Sequence, residues 1–320
     1  MAEADLIKTL INRARLYKDG QTLIGPGDDA ALIAGMTGGL AVSTDSYLEG
    51  SHYKSGWLEP AELAQRSLAA SISDLAAMGA LPRFYTLALT LNGNEPDGFI
   101  DAFGRGLGAA GKRYKIDLIG GDLTLGAIQS LSVTVMGSPT SGRVMQRRGA
   151  NPGDGLWISG SLGGAAAGLA LMQARGKDRS DLSLRFRTPE PRILLGTTLA
   201  RMAIASAGID ISDGFLIDLS RLCRASNCGA KIDLKALPRD PRAQRVASLL
   251  NRKVDPFVLQ GGEDYELMFS VPPSVEEAIG DLSTATEVAL TRVGMITDSG
   301  HLEDRTGRRL EAKGWDPFSE

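Results

Sequence analysis

The chain has 320 residues, with 43% hydrophobic and 23% charged side chains and a net charge of −3. That length exceeds one typical core and predicts two domains. Nearly balanced charge leaves no basic footprint for nucleic acid; no apolar run reaches about 18 residues, so no membrane span is expected; and the acidic start Met1-Ala2-Glu3-Ala4-Asp5 lacks the layout of a signal peptide, so a cytoplasmic protein is expected.

Leu6, Ile7, Leu10, Ile11 and Leu16 predict an amphipathic helix over 3–17. Gly25-Pro26-Gly27-Asp28-Asp29 reads as a turn, and 40–43 as a strand. A helix is expected over 60–78, with Pro60 in its first turn and Gly79 at its end. A strand over 83–91, a helix over 97–114, and strands over 116–119 and 130–137 follow, the last two separated by a Gly-Gly-Asp loop. The Gly-, Pro-, Ser- and Arg-rich stretch 138–155 is the expected domain boundary, giving an N-terminal domain over 1–138 and a C-terminal one over 148–320. Beyond it come a strand over 155–159, a helix capped by Ser161 and reaching Arg175, a helix from Pro189-Glu190-Pro191 to Ala207, and a helix over 215–225. Strands over 265–271 and 288–296 close the series. Strands and helices mix without a βαβ rhythm, which predicts an α/β protein of mixed α+β layers rather than a doubly wound sheet.

Six acidic motifs punctuate this plan: Gly27-Asp28-Asp29, Thr44-Asp45-Ser46, Ser73-Asp74, Gly120-Gly121-Asp122, Asp210-Ile211-Ser212-Asp213-Gly214 and Gly261-Gly262-Glu263-Asp264. Four of them adjoin apolar runs, where strand ends of α/β proteins carry their sites. Carboxylates gathered there would repel by about 4 kcal/mol per pair at about 4 Å and an effective dielectric near 20. A hard cation such as Mg²⁺, Mn²⁺ or Ca²⁺ would hold them. Asp74 falls in the last turns of its helix, where the dipole disfavours an anion, and shares a face with Ser67 and Ser71. A solvated polar face and a bound cation explain it equally well. Paired glycines before Asp122 and Glu263 allow close approach or positive φ.

Other chemistry finds less support. Cys223 and Cys228 read as reduced structural thiols, and with only His52 and His301 they make no zinc set. Gly160 to Gly164 lacks the Gly-Lys-Ser/Thr ending of a phosphate loop, and close helix packing explains it. No Gly-x-Ser-x-Gly elbow is present. Carboxylates meet phosphates only through divalent ions, the usual arrangement in phosphoryl transfer. Trp315 reads as a tail anchor or as a surface for a flat heterocycle.

Taken in order, these motifs resemble the thiamine-monophosphate kinase family, in the superfamily of aminoimidazole ribonucleotide and selenophosphate synthetases. Further matching pieces are Ala30-Ala31, Glu49-Gly50-Ser51-His52, Leu75 to Ala80, Arg148-Gly149-Ala150, Pro152-Gly153-Asp154, Tyr265-Glu266-Leu267 and Gly314-Trp315. The resemblance implies ATP-dependent phosphorylation of thiamine monophosphate to thiamine diphosphate, with several Mg²⁺ ions. It implies Asp29, Thr44, Asp45, Ser46, Asp74, Asp122, Asp210 and Asp213 as metal ligands. Tyr114, Gly121, Arg148 and Ser212 would contact ATP, with Arg147 and Arg148 competing for one position; His52, Glu263 and Trp315 would contact the thiamine phosphate. It also implies an N-terminal domain that pairs with its twin in a homodimer and a C-terminal α/β domain completing the active site. Another synthetase of the superfamily and a non-catalytic divalent-cation module stand as alternatives, although the first cysteine is Cys223 and no EF-hand loop occurs.

Overall fold

The computed structural model describes residues 3–24, 26, 32–35, 38–140 and 142–316. In chain order the elements are α1 (Glu3–Ala14), β1 (Thr22–Ile24), β2 (Leu32–Ile33), β3 (Ala41–Leu48), α2 (Pro60–Ala77), β4 (Ala80–Leu91), α3 (Phe99–Tyr114), β5 (Asp117–Leu125) and β6 (Ser130–Pro139). There follow β7 (Gly155–Ser159), α4 (Gly164–Arg175), α5 (Leu184–Arg187), α6 (Ile193–Met202), β8 (Ala207–Asp210), α7 (Phe215–Ser226) and β9 (Gly229–Ile232). The last are α8 (Pro241–Leu249), α9 (Asp255–Leu259), β10 (Leu267–Val271), α10 (Ile279–Thr286), β11 (Leu290–Thr297) and β12 (Leu302–Asp304). The chain divides into two compact units, one of Met1–Leu75 and Leu81–Pro139, the other of Ala76–Ala80 and Thr140–Glu320.

In the N-terminal unit a four-stranded sheet runs β3-β6-β4-β5, so β3 and β5 are its edges. Leu131, Val133 and Val135 of β6 are fully buried, while Ser132 and Thr134 between them are not. That alternation marks one covered and one open face. Leu68, Ile72 and Leu75 of α2 and Phe103 and Leu107 of α3 supply the covering layer. A second fastening is polar. Buried Asp117 accepts hydrogen bonds from Arg15 Nε (3.0 Å), Thr22 Oγ1 (2.8 Å) and the Asp19 N–H (3.0 Å), and Asp19 pairs with Arg83 at 2.7 Å.

The C-terminal unit is built on a six-stranded sheet, β12-β9-β11-β7-β10-β8, in which only β12–β9 is parallel. Both faces are covered. Ile158 and Met268 join the α7 residues Phe215, Leu219 and Leu222 in one core. Leu267, Phe269 and Val271 join α6 and α10 in another. This is why every residue of β10 is buried and the strand reads as apolar apart from Ser270, rather than as alternating. The mixed sheet agrees with the layered α/β expectation.

Several local expectations are corrected. β3 extends to Leu48, and β5 runs straight through Gly120-Gly121-Asp122, so neither acidic motif is a loop. Polar residues misled the reading because edge strands tolerate them on an open face. The helix expected from Pro189 to Ala207 is α6 alone, and 207–210 is already strand. Ser161 does not cap α4. The N–H groups of Gly163 (2.6 Å) and Ala165 (3.1 Å) donate instead to Asp264, a carboxylate about a hundred residues away. That carboxyl fills the positive end of α4 from within the protein, and the glycines themselves are closely packed, since a Cβ would stand 3.1 Å from the Phe257 backbone at Gly163 and 2.6 Å from Asp240 Oδ2 at Gly164.

Burial pushes the Asp264 carboxyl up to about 7, against the Gly163 and Ala165 bonds and the charge of Arg185. Its folded value thus lies above the 3.8 of a free carboxyl. The contribution to stability is then fully present below that ordinary value and lost as pH rises through about 7. We predict that the melting temperature of the wild type falls more steeply between about pH 5 and about pH 8 than that of Asp264→Asn, which has no such proton to lose. Parallel melting curves across that range would contradict it.

Candidate functional site

In the N-terminal unit the predicted ligands separate by strand geometry. Side chains alternate along β3, so Ser43, Asp45 and Tyr47 share the face on which Tyr47 is buried. The Ser43 hydroxyl donates to Asp74 near the end of α2. Asp45 therefore lies on the face that meets Asp74. Thr44 and Ser46 point the other way and bond to Thr134 (2.9 Å) and Ser132 (2.7 Å) on β6. Asp122 is exposed on β5, in register with the exposed Ala88. It stands three strand spacings from β3, roughly 14 Å along the sheet. The four polar residues of β3 and β5 are thus not one cluster, and the repulsion expected at about 4 Å does not arise between the edges. Asp29 lies outside the described residues.

The face around Asp74 is not solvated. Ser67, Ser71 and Ser73 are buried, and the first two return their hydroxyls to helix carbonyls, Ser67 to Ala64 (3.1 Å) and Ser71 to Ser67 (3.0 Å). Close packing already demands a glycine at 121: a Cβ there would stand 2.1 Å from the Leu87 carbonyl oxygen of β4. Tyr114 ends α3 with the Arg113 guanidinium 5.3 Å from its ring centre. His52 accepts the Leu48 N–H at Nδ1 (3.1 Å) and meets Tyr47 edge-on at 5.7 Å. Accepting at Nδ1 puts the proton of a neutral ring on Nε2.

In the C-terminal unit, distant segments converge through the main chain. Asp210 is buried at the end of β8, and the chain then turns at 211–214 before α7. The Glu263 N–H donates to the Ser212 carbonyl (2.8 Å), the Tyr265 N–H to Ile211 (2.9 Å), and the Trp315 N–H to Asp213 (2.8 Å). Ser212, Asp213, Glu263 and Trp315 are therefore brought together. A Cβ on Gly262 would lie 2.2 Å from the Ser212 oxygen, so only glycine allows this approach. Neither Gly261 nor Gly262 takes positive φ. Glu263 (φ 67°) and Tyr265 (φ 52°) do, flanking Asp264.

The 211–214 turn rests on residues the sequence reading missed. Asp218 of α7 accepts the N–H groups of Ser212, Asp213 and Gly214 at 3.1, 3.0 and 3.1 Å. Burial lifts its carboxyl to about 6, and the charge of Asp213 adds to that, while the Asp213 N–H and Arg221 pull it down. Arg221 bridges Asp213 and Asp218. One signal was available: Asp218 sits among the apolar Phe215, Leu216, Leu219 and Leu222 of an otherwise amphipathic helix. Beneath the 261–265 segment, buried Glu266 takes Arg185, Arg192 and Ser159 as partners. Arg148 lines a pocket of about 390 Å³ with Met145, Gln146, Ser206 and Ser226; Arg147 does not.

These donors suit a hard cation. They are carboxylates and hydroxyls, and both cysteines are buried, with burial raising each thiol. Among the described residues no three His, Cys, Asp or Glu side chains gather to hold a metal alone. Mg²⁺ asks for less, since it is commonly held by one or two carboxylates plus substrate phosphates and water. Among the described residues no helix is long and apolar enough to cross a membrane.

Comparison with known proteins agrees with this layout. Residues 27–138 match the AIR synthase related protein N-terminal domain, and residues 151–306 its C-terminal domain. The thiamine-monophosphate kinase of Escherichia coli K12 is 38% identical over 99% of this chain and 98% of its own length. That of Bacillus subtilis is 30% identical over 99% and 100%. The crystal structure of the Stenotrophomonas maltophilia thiamine-monophosphate kinase superposes with a TM-score of 0.85, at 35% identity, over 97% of this chain and 98% of that one. A hydrogenase maturation protein, HypE, in complex with ATP shares the fold at a TM-score of 0.78 and 20% identity, covering 99% of this chain and 96% of that one. The chain belongs to the AIR synthase related family and, within it, to the thiamine-monophosphate kinases.

Proposed function

We propose that this protein transfers the γ-phosphoryl group of ATP to thiamine monophosphate, yielding thiamine diphosphate, as the last step in making that product. The observation that carries the reading is full-length identity of 30–38% to thiamine-monophosphate kinases. The convergence of Ser212, Asp213, Glu263 and Trp315 supports it. The superfamily's synthetases and HypE share the fold, but the full-length kinase relatives favour this substrate.

The acceptor phosphate is already anionic near neutral pH, so the chain needs no general base to activate it. We assign direct in-line transfer, since the acceptor brings its own nucleophile and neither buried cysteine is a usable one. What remains is alignment and neutralisation of charge. Asp45, Asp74 and Asp122, with Asp29, are the ligands we assign in the N-terminal unit, and Asp210 and Asp213 those in the C-terminal unit. Thr44 and Ser46 would join through their carbonyls, since their hydroxyls face away from Asp45. Bound Mg²⁺ ions would neutralise the phosphates. Arg148, Ser212, Gly121 and Tyr114 are assigned to ATP, and Arg148 is preferred over Arg147 because it lines the pocket. His52, through Nε2–H, Glu263 and Trp315 are assigned to thiamine phosphate. A homodimer through the N-terminal sheet is supported by its open face, where Val42 and Leu48 of β3 are exposed. A cytoplasmic location goes with a soluble biosynthetic enzyme.

A coupled assay with ATP, Mg²⁺ and thiamine monophosphate tests the reading; no thiamine diphosphate under saturating conditions would end it. We predict that Asp45→Asn lowers kcat by at least about 100-fold, a loss typical of one removed electrostatic stabiliser. Its ligand-free melting temperature should stay equal or rise, because Asn removes a charge from the Asp74 face. A variant with wild-type kcat would remove Asp45 from the ligand set.

Trp315 is partly exposed, at 43%, and its N–H is tied to Asp213. Stacking on a cationic heterocycle is worth roughly 0.5–2 kcal/mol. Trp315→Ala should therefore raise the thiamine monophosphate KM about 2- to 30-fold and leave ATP binding unchanged. A lower melting temperature with an unchanged KM would make it a tail anchor only.

A further inference from the structure

Arg221 has an unusual position beside the 211–214 turn. One nitrogen, Nη1, lies 2.5 Å from Asp213 Oδ2 and 2.6 Å from Asp218 Oδ1. The two carboxylates differ in setting. The Asp218 side chain is 1% exposed and the Asp213 side chain 23%. Asp218 also divides its labour: Oδ2 takes the three N–H groups of the turn, and Oδ1 takes Arg221. The turn's backbone is therefore fixed by Oδ2 and does not depend on what Asp213 binds. The inner end of the bridge is sealed and the outer end open to water. Leaving Asp218 without its cation would strand a buried charge, whereas Asp213 can exchange partners by rotating its own side chain.

We propose that Arg221, seated on Asp218, is the resident counter-cation of Asp213: it neutralises that carboxylate while no divalent ion is bound, and competes with one for it. This rests on the assignment of Asp213 to a metal under the proposed function. Two effects act in the same direction. Arg221 occupies an oxygen that a cation would use, and its positive charge repels a cation bound there. Removing the guanidinium relieves both. Asp218 and Arg221 are thus positioning residues, which set how Asp213 is presented and how tightly it takes a cation.

The test is Mn²⁺ binding by the full-length protein without nucleotide, read from the electron paramagnetic resonance signal of free Mn²⁺. Arg221→Gln should tighten one class of site about 3- to 10-fold, the range of a partly exposed ion pair. The gain should vanish when Arg221→Gln is combined with Asp213→Asn, and this cycle isolates the effect even where several ions bind. Arg221→Met keeps the hydrocarbon stem and should behave alike, and metal-free melting curves of both variants separate a folding defect at Asp218 from the change in ion binding. Unchanged or weakened Mn²⁺ affinity, or a gain that persists without Asp213, would overturn the proposal. So would weaker binding of metal-free ATP by Arg221→Gln, since Arg221 would then be a phosphate contact. Failure of the kinase reading is separate: it appears as no turnover of thiamine monophosphate by the wild type, and leaves the Mn²⁺ cycle readable.

Discussion

Asp264 accepts two hydrogen bonds at the start of α4 from a place with no access to water, and the functional half of the C-terminal unit is assembled outward from it. An ionised carboxylate there is disfavoured by burial and favoured by the helix N-terminus. Pinned at that point, the chain on either side has little freedom. Glu263 and Tyr265 turn their N–H groups onto the carbonyls of Ser212 and Ile211, and Asp213 receives the N–H of Trp315. A residue near the end of the described chain is thereby connected to a helix cap through three short main-chain contacts. Two non-glycine residues hold left-handed backbone to make this possible, at a cost of roughly 1–2 kcal/mol each. The surrounding bonds over-determine the segment and offset that cost.

Both units tie buried acids to arginines and backbone N–H groups, Asp117 to Arg15 and the Asp19 N–H in one and Asp218 to Arg221 and the 212–214 turn in the other, and they differ at the assigned ligands. In the N-terminal unit the Ser43 hydroxyl serves Asp74, and no cation among the described ion pairs is shared between two of the assigned ligands. In the C-terminal unit Asp218 uses three backbone N–H groups and Arg221, and Glu266 takes two arginines. Buried charges with such partners keep a single geometry, because losing one partner is expensive. Asp45 and Asp122 lie on strands, where pleat fixes the direction of each side chain. A carboxylate on a strand is held more firmly than one on a loop, which suits the ligand role proposed for both.

Much of this was legible in the sequence, and the failures have physical causes. Layered α/β architecture followed from element order, and α2, α3, α7 and β7 were anticipated within a few residues. The turn composition of Thr44-Asp45-Ser46 and Gly120-Gly121-Asp122 hid the continuation of two expected edge strands, since turn residues and strand residues at a sheet edge are the same polar and small types. Gly261 and Gly262 were read as allowing close approach or positive φ; they serve close approach to neighbouring backbone, and positive φ falls on Glu263 and Tyr265 instead. Asp264 and Asp218 act across gaps of about a hundred residues and of four to six residues respectively. Only the second gap could be inferred from a helical pattern, as an acid on an apolar stripe.

The pairing of Asp213 with Arg221 also bears on why the ordered motif set was informative when each piece was not. Asp-Ile-Ser-Asp-Gly is a turn by composition, and a turn alone does not hold its carboxylate in one direction. A helix must follow with an acid in its first turn, at Asp218, to fix the turn, and 261–265 must close on it from the other side with a glycine that admits the Ser212 oxygen. The geometry proposed for the site therefore resides in the joint occurrence of 210–218 and 261–265, separated by β9, α8 and α9. Either segment without the other leaves Asp213 as an ordinary surface acid; together they make it a placed one.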